Sequence, residues 1–341
     1  MLSQIILNDI EDSCCHIEKQ FFKDKIIVIT GASGLIGTYF LAYMASLLKK
    51  GISIEAYALT YSDPPPHILS LTSYGKIKLL RIDLADAKEY NRLPEADIII
   101  HSAGYAQPMI FMTNPVVTMQ INISATIALL RRLKPHGSFI FLSSSEVYSG
   151  LKGPVFSEDH IGTSTPYHPR AAYIEGKRSG EAACNAFRAH DVRAISARMG
   201  DIYGPGTRKH DQRALNSFIE KALFQQKIAL LDSGAAMRSY CYVADAVALL
   251  LKILCSGKHA VYNVGGHTYI SIAQLAKLIG EITNSPVIMP TSDNTNIPGA
   301  PDILPLDLTR IETEFGKTKY VDIKEGLKRT VAWQRELYGF D

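Results

Sequence analysis

Three side chains in the middle of the chain have the types and the spacing of an acid–base centre. Tyr173 and Lys177 stand four positions apart in a stretch with helical character, so both project from one face of a helix. Ser144 lies 29 residues before Tyr173, at the end of a predicted strand. A nearby ammonium favours the phenolate and lowers the pKa of a tyrosine, as proton transfer near neutral pH requires. The pattern predicts that Tyr173 takes a proton from a hydroxyl that Ser144 hydrogen-bonds.

A glycine-rich segment follows the first predicted strand and leads into a predicted helix. It reads Thr30-Gly31-Ala32-Ser33-Gly34-Leu35-Ile36-Gly37. Glycines let the backbone turn tightly and approach a pyrophosphate, while the N–H groups at the helix N-terminus attract its negative charge. In this context of strand, loop and helix, the segment predicts a dinucleotide-binding loop. The predicted contacts are Gly31, Ser33, Gly34, Leu35, Ile36 and Gly37.

Strands and helices alternate through the first half of the chain and would position these residues. Strands are predicted at 25–30, 53–60, 76–82, 96–101, 138–143 and 192–197, and helices at 38–49, 122–133 and 171–190. This order predicts an α/β fold with a doubly wound parallel Rossmann sheet. The glycine loop and Ser144 then lie at the carboxyl ends of strands, where ligands of such sheets bind.

The alternation loosens after about residue 198. Glycine, proline and polar residues crowd 200–213 and 291–305. Helices are predicted at 214–226, 243–254, 271–283 and 321–338, and a strand at 260–264. We expect an N-terminal extension (1–24), a dinucleotide-binding domain (25–199) and a mainly substrate-binding part (200–341) in which 237–266 returns to the sheet.

The composition is that of an ordinary globular protein. Of 341 residues, 47% are hydrophobic and 20% are charged, and the net charge is +3. So small a charge, with scattered basic residues, argues against a nucleic-acid partner, and the absence of a long apolar run argues against a membrane. The five cysteines include no CxxC pair, so neither a metal site nor a disulfide framework is expected, and the expected location is cytoplasmic.

These motifs together resemble the extended short-chain dehydrogenase/reductase superfamily. Besides the glycine loop and Tyr173–Lys177, the resemblance rests on Asp83-Leu84 and on His101-Ser102-Ala103-Gly104. It implies that Asp83 and Leu84 flank the adenine of a nicotinamide dinucleotide, that Ala103 and Gly104 lie along it, and that Tyr173 and Lys177 touch it. NAD is favoured and NADP is the alternative, because neither an acid for the ribose nor a basic residue for a 2′-phosphate stands near Tyr61.

Within that superfamily the chain resembles the UDP-glucuronate decarboxylases. The segments that carry this are Ser143–Tyr148 (SSSEVY) and Tyr173–Arg178 (YIEGKR), with further positions at Glu181, Gly204-Pro205, Asp211, Arg213, Phe218, Ile219, Gly234, Arg238, Tyr242, Val243 and Asp245. The resemblance implies a nucleotide-sugar substrate that is oxidised at C4. It also implies that Arg238 contacts the diphosphate, that Arg213 lines the same pocket, and that Ser145 and Asp201 contact substrate.

The pair Ser145-Glu146 separates related chemistries. Sugar-nucleotide 4,6-dehydratases have Asp then Glu at these positions, and 4-epimerases have a small neutral residue in place of Glu146. The pair Ser-Glu is the decarboxylase arrangement, in which Glu146 would shuttle protons or steer the acid group of the substrate. The alternative is that Glu146 is a solvated loop acid.

Two departures from the decarboxylase pattern leave other reactions open. Asp201 replaces the usual Asn, and a carboxylate there would repel phosphate unless it is paired or turned away. No Arg or Lys occurs between Lys277 and Arg310, where decarboxylases carry a basic residue near the sugar carboxylate. A 4-epimerase, a 4,6-dehydratase, a 4-ketoreductase and a catalytically silent dinucleotide sensor therefore stay open.

A homodimer is also expected. Relatives pair through two helices, and the corresponding segments here are 117–133 and 171–190. Both carry apolar residues on more than one face, which is more than packing on a sheet alone requires.

Overall fold

The computed structural model describes residues 2–290, 305–317 and 319–340. Its strands are β1 (Lys25–Thr30), β2 (Ile54–Thr60), β3 (Ile77–Arg81), β4 (Ala96–His101), β5 (Leu133–Ser144), β6 (Arg193–Met199), β7 (Asp201–Tyr203), β8 (Ile228–Ala229), β9 (Met237–Tyr242), β10 (Val261–Val264), β11 (Thr268–Ser271) and β12 (Val287–Ile288). Within the described residues, seven of these form one parallel sheet in the order β10-β6-β5-β4-β1-β2-β3. The predicted doubly wound α/β sheet is confirmed.

Some of the helices cover the two faces of this sheet, and others pack within the second half of the chain. They are α1 (Gln4–Cys14), α2 (Leu35–Lys49), α3 (Pro66–Leu69), α4 (Pro108–Thr113), α5 (Pro115–Met119), α6 (Ala125–Leu130), α7 (Ala171–Phe187), α8 (Ala214–Gln225), α9 (Val243–Ser256), α10 (Ile272–Thr283), α11 (Thr309–Phe315) and α12 (Ile323–Tyr338). Across the described ranges, no helix is long and apolar enough to cross a membrane. All five cysteines are free thiols.

Alternate residues of the central strands supply two separate cores. Ile27 and Ile29 of β1 join the core that contains α2 and α9, whereas Val28 between them joins the core that contains α6. Because both faces are covered, these strands are continuous apolar runs and not alternating ones. The same burial on both faces explains why the sequence predicts β1 and β4 residue for residue.

The order of the strands creates a crevice between β1 and β4. After β3 the chain crosses back to the other side of β1, so the connections that leave β1 and β4 diverge at their carboxyl ends. Gly31, with φ of 62°, follows β1, and a Cβ atom there would lie 2.8 Å from the backbone of Ala103, which follows β4. Only glycine fits this close approach.

The second half of the chain builds two small sheets and then rejoins the large one. Strand β9 pairs with β7 and β11, and β12 pairs with β8. Of the segment 237–266 that was expected to return to the main sheet, α9 and β10 do so, while β9 belongs to a small sheet. The glycine- and proline-rich segment predicted at 291–305 lies outside the described residues except for Pro305.

The helix predicted at 122–133 is wrong at both ends. Helical structure begins at Pro115, continues through a π-helical turn (Gln120–Ser124) and ends with α6 at Leu130. Proline at the first helical position favours this earlier start. Strand β5 then begins at Leu133, five residues before the predicted strand, and passes through His136 with φ of 59°.

A helix that the sequence analysis did not predict occupies the N-terminal extension. Ser3 is the N-cap of α1. Three apolar residues of this helix, spaced by four, join the main core: Ile6, Ile10 and Cys14. The buried Asp9 carboxylate accepts hydrogen bonds from Tyr39 (2.6 Å), Tyr242 (2.7 Å) and Arg329 (2.8 Å). Burial raises the pKa of Asp9, and the three donors oppose that shift. Residues 4–14 are therefore an integral part of the fold.

We expect Asp9→Ala to lower the free energy of unfolding by about 2–4 kcal/mol, because two buried hydroxyls and a guanidinium lose their acceptor. Urea denaturation measures this loss. Asp12→Ala, on the exposed side of the same helix, is the matched control and should change stability by less than about 0.5 kcal/mol. Equal effects of the two substitutions would contradict the role assigned to Asp9.

Candidate functional site

The three predicted catalytic residues converge at the carboxyl edge of the sheet. Ser144 ends β5, and Tyr173 and Lys177 lie in the first turns of α7, which packs on that strand. All three side chains are buried. The Ser144 hydroxyl accepts a hydrogen bond from the Glu146 amide (3.2 Å) and lies close enough to Tyr173 to lower the pKa of its phenol. A substrate hydroxyl placed here would reach a phenol and a serine together.

The surroundings of Tyr173 and Lys177 affect their protonation. Burial raises the pKa of Tyr173, Glu146 adds to the increase, and Ser144 opposes it. The Lys177 ammonium donates to the Leu142 carbonyl (2.7 Å) and lies 5.7 Å from the Tyr173 ring centre, and the lowering of the tyrosine pKa by Lys177 stays a prediction. Burial also lowers the pKa of Lys177 to about 7, so its own charge is weakened near neutral pH.

A buried ion pair fixes α7 against the sheet. Glu181, one turn beyond Lys177 on α7, accepts hydrogen bonds from Arg198 of β6 (2.8 Å) and from Ser143 of β5 (2.5 Å). Arg198 also donates to the Tyr148 hydroxyl (2.9 Å). Glu181 thus joins the helix that carries Tyr173 to β6 through Arg198, and to β5, the strand that carries Ser144, through Ser143.

Glu146 is not the solvated loop acid that was the alternative. Its side chain is 14% exposed, and that of its partner Arg170 is 5% exposed. Arg170 donates from Nε to Oε2 (2.8 Å) and from Nη2 to Oε1. Burial raises the pKa of Glu146 and the guanidinium opposes that shift. Sequence reasoning missed Arg170, because nothing in its spacing from Glu146 indicates contact.

The glycine loop has the geometry of a phosphate-binding turn. Gly34 is the N-cap of α2, so the amides of Leu35 and Ile36 belong to its first turn. A Cβ on Gly37 would lie 2.3 Å from the Gly31 carbonyl, which shows how closely the helix packs on the loop. These residues fit a dinucleotide pyrophosphate. Helix α2 begins three residues before its predicted start.

Arg208 is a contact of this loop that the sequence did not reveal. Its guanidinium reaches across from the segment after β7 and hydrogen-bonds both the carbonyl (3.1 Å) and the hydroxyl of Ser33. It connects the glycine loop to the part of the chain that carries Arg213.

The other predicted cofactor contacts line the same crevice. Ala103 donates from its amide to the Thr30 hydroxyl (3.0 Å), and Leu84 is buried. The Cβ position of Gly104 is 3.7 Å from Lys177 Nζ and 3.8 Å from Asn122 Oδ1. That Asn122 oxygen is buried and has no hydrogen-bond partner among the described residues. The cradle therefore extends from the glycine loop to Lys177.

A cavity of about 450 Å³ opens at the far end of the crevice. It is lined by Tyr61, Ser62, Arg81, Asp83, Glu89 and Arg92. No basic residue is close to Tyr61 in the sequence, but one is close to it in the folded chain. Arg81 of the neighbouring strand β3 donates a hydrogen bond to the Tyr61 carbonyl (3.2 Å). Its charge is offset by Asp63 at 3.3 Å, which leaves less positive charge for a 2′-phosphate.

The predicted substrate residues gather around β7 and β9. Asp201 of β7 is exposed to the cleft, and Ser145 lies between Ser144 and Glu146. Burial of its surroundings raises the pKa of Asp201, while the charges of Arg238, Arg213 and Arg170 oppose the shift. Arg213 is held by Asp211 through two hydrogen bonds to its carboxylate, from Nε (3.0 Å) and Nη2 (2.5 Å). The Asp201 carboxyl group is thus near enough to three arginines for their charges to affect its pKa.

Comparison with known proteins shows the family to which the chain belongs. The sequence pattern of the NAD dependent epimerase/dehydratase family matches residues 27–265. UDP-glucuronic acid decarboxylase 6 of Arabidopsis thaliana is 27% identical over 311 residues, which are 90% of this chain and 88% of that protein. The chain shares its fold with solved enzymes as well.

Two solved structures illustrate the likeness in fold. A variant of the UDP-glucuronic acid 4-epimerase from Bacillus cereus, in complex with UDP-4-deoxy-4-fluoro-glucuronic acid and NAD, has a TM-score of 0.77 and 22% identity, covering 92% of this chain and 100% of that one. A dTDP-glucose 4,6-dehydratase from Streptomyces venezuelae with bound NAD has a TM-score of 0.77 and 22% identity, covering 92% and 98%.

Arg198→Met should lower the free energy of unfolding by about 3–5 kcal/mol at pH 8, because it leaves the Glu181 carboxylate buried without its cation. An unpaired buried carboxyl has a raised pKa in the folded state, so the loss should shrink as the pH falls below that pKa. Urea denaturation of the variant and the parent at pH 8 and pH 5 measures both effects.

Lys78→Met, which breaks an exposed ion pair with Glu55, is the control and should cost less than about 1 kcal/mol. A loss for Arg198→Met that is small and independent of pH would refute the anchoring role of the buried pair.

Proposed function

The chain is an enzyme of the NAD-dependent epimerase/dehydratase family, and we propose that it oxidises the C4 hydroxyl of a nucleotide sugar and then decarboxylates the product as UDP-glucuronate decarboxylases do. The observation that carries the proposal is the convergence of Ser144, Tyr173 and Lys177 beside the glycine loop. Cofactor contacts would come mainly from 25–199 and substrate contacts mainly from 200–341, a division that stays a prediction.

Each residue of this centre has a distinct part in the oxidation. Ser144 hydrogen-bonds the C4 oxygen, and Tyr173 takes the proton from that hydroxyl. Lys177 would hold the ribose next to the nicotinamide ring of the cofactor, and it places a positive charge near the phenol of Tyr173. When bound, NAD supplies the acceptor for the C4 hydride. The product is a 4-keto sugar, and if C5 carries a carboxylate, that group is β to the new ketone.

The position of Glu146 supports decarboxylation as the second step. A β-keto acid loses carbon dioxide when the bond from C5 to the carboxyl carbon breaks and its electron pair moves into an enolate, which then takes a proton at C5. Glu146 and its partner Arg170 lie beside Tyr173, where they can orient the acid group of the substrate. The decarboxylase of Arabidopsis thaliana, alike over most of its length, agrees with this assignment.

One observation favours a second candidate. Asp201 adds a carboxylate to the cleft near Glu146, and two acids disfavour a substrate that brings a third. A neutral nucleotide sugar avoids that repulsion. Epimerisation at C4, 4,6-dehydration or reduction of a 4-ketone of such a sugar is therefore the alternative.

We also propose that the protein is a homodimer. Helices α5 and α6 pack on α7, and α5 exposes two large apolar side chains, Val116 (67% exposed) and Met119 (41%). Exposed apolar side chains one turn apart on a helix fit a self-association surface. A cytoplasmic location is proposed as well and fits the five free thiols.

We expect UDP-glucuronate, incubated with the purified protein and NAD, to lose the mass of carbon dioxide in mass spectrometry when the hydride is returned to C4, and of carbon dioxide and two hydrogens when the 4-keto product is released. UDP-glucose, dTDP-glucose and UDP-N-acetylglucosamine complete the panel. Loss of water from dTDP-glucose, or a new epimer of unchanged mass on chromatography, would replace decarboxylation with the alternative. No change in any substrate would refute the proposal.

Tyr173→Phe should reduce turnover of the active substrate at least about 100-fold while NAD binding is retained, because only the proton acceptor is removed. Initial rates and calorimetric titration with NAD measure the two properties. Tyr167→Phe is the control, since Tyr167 is 95% exposed and should tolerate the change. A Tyr173→Phe variant with half of the parent activity would overturn the role of the phenol.

Light scattering at micromolar concentration should give the mass of two chains. Val116→Asp, which places a charge on the proposed dimer surface, should give the mass of one chain, whereas Leu231→Asp at an exposed apolar position elsewhere should not. A monomer mass for the parent protein would refute the dimer.

A further inference from the structure

Arg170 contacts two neighbours of Tyr173 at once. The edge of its guanidinium makes two hydrogen bonds to the Glu146 carboxylate. Its face lies over the Phe111 ring, with 5.0 Å between the guanidinium carbon and the ring centre. The ring of Phe111 in turn stacks on that of Tyr173, with 4.3 Å between centres and 11° between planes. Arg170, Phe111 and Tyr173 thus form a layered stack that Glu146 closes at one side.

This stack excludes solvent from the charges that it holds. The Arg170 side chain is 5% exposed, and Phe111 is fully buried. Charges act on one another more strongly in such surroundings than in water. Glu146 is therefore a fixed negative charge beside the phenol, and its two hydrogen bonds to Arg170 leave it poorly placed to carry protons between groups.

The other charges around Tyr173 come from several elements. Asp201 of β7 raises the pKa of the phenol and Arg170 lowers it. Arg213, at the start of α8, also interacts with the phenol, and the Lys177 ammonium lies over the ring. Of these groups, only Arg170 has described contacts with both the Glu146 carboxylate and the Phe111 ring that stacks on Tyr173.

We propose that Arg170 is a positioning residue for the reaction. It holds Glu146 in one orientation, cancels the charge of that carboxylate beside Tyr173, and presses Phe111 onto the face of the phenol. Proton abstraction by Tyr173 then depends on a side chain that acts through Glu146 and Phe111, while the Arg170 backbone carbonyl accepts a hydrogen bond from the Tyr173 amide (3.0 Å). The inference deepens the proposed function, since it rests on the role of Tyr173 as the proton acceptor.

The test measures the ionisation of Tyr173 directly, in the NAD-bound protein and without a sugar substrate. The protein is labelled with 3,5-difluorotyrosine, whose phenol ionises at lower pH, and the signal of residue 173 is assigned by its loss in Tyr173→Phe. Fluorine NMR across a pH titration then gives the pKa of that phenol.

The two single substitutions should shift the pKa of the Tyr173 phenol in opposite directions. Arg170→Gln leaves Glu146 unpaired and should raise the phenol pKa by about 1 unit or more. Glu146→Gln removes the negative charge and should lower the pKa. The double variant should return to within about half a unit of the parent, because both charges are absent.

Controls separate charge from folding. Arg188→Gln, at the far end of α7, should leave the titration unchanged. Thermal unfolding and NAD affinity show whether each variant is folded. If Arg170→Gln does not fold, Arg170→Lys keeps the charge without the planar two-point contact, and its phenol should titrate within about half a unit of the parent.

Shifts of the same sign in Arg170→Gln and Glu146→Gln would overturn the proposal, as would a double variant that titrates like Arg170→Gln alone, or an Arg170→Lys shift of 1 unit or more. The proposed function fails by a different result, since an inactive panel of nucleotide sugars would leave this titration unaffected. The two claims are therefore tested separately.

Discussion

The geometry of the site depends on the buried ion pair between Arg198 and Glu181. Tyr173, Lys177 and Glu181 follow one another at intervals of four on α7, so the anchor of Glu181 sets where the other two project. Ser143, which also binds Glu181, directly precedes Ser144. Removing two charges from water is costly, and such a pair is tolerated only where further hydrogen bonds satisfy its oxygens. That condition is met here, and the contribution of the pair is chiefly to specify one arrangement of helix and strand.

Among the described residues, carboxylates accompany the three arginines near the proposed substrate site. Arg170 is paired with Glu146 and Arg213 with Asp211, and Arg238 acts on Asp201. A cleft that binds a diphosphate through unpaired arginines would attract many anions. Here most of that positive charge is already offset, so recognition depends on the geometry of the donors more than on the net charge of the cleft. The same balance applies at the far end of the crevice, where Asp63 lies beside Arg81.

Much of the fold and part of the site follow from local sequence. Strands buried on both faces are continuous β-branched runs, and the glycine loop and Tyr173–Lys177 are short motifs whose spacing carries their geometry. Other features depend on contacts between distant segments. Arg170 meets Glu146 across 24 positions, and Arg81 approaches Tyr61 because β2 and β3 are paired in a particular register. The burial that raises the pKa of Tyr173 is likewise a property of the whole fold, which no short motif predicts. Helix α1 could have been predicted from the sequence, because the cap at Ser3 and the spacing of Ile6, Ile10 and Cys14 are local signals.

The contact between Asp9 and Arg329 joins residues 320 positions apart, and this separation has a consequence during synthesis of the chain. A ribosome releases α1 before α12. Until α12 has been synthesised, the packing around α1 is incomplete. The Asp9 carboxylate then lacks Arg329, one of its three hydrogen-bond donors, and stays in water. Chains that expose apolar surface while they wait for distant partners are prone to aggregate and are typical clients of chaperones. The cluster around Asp9 can therefore be completed only after α12 has been synthesised.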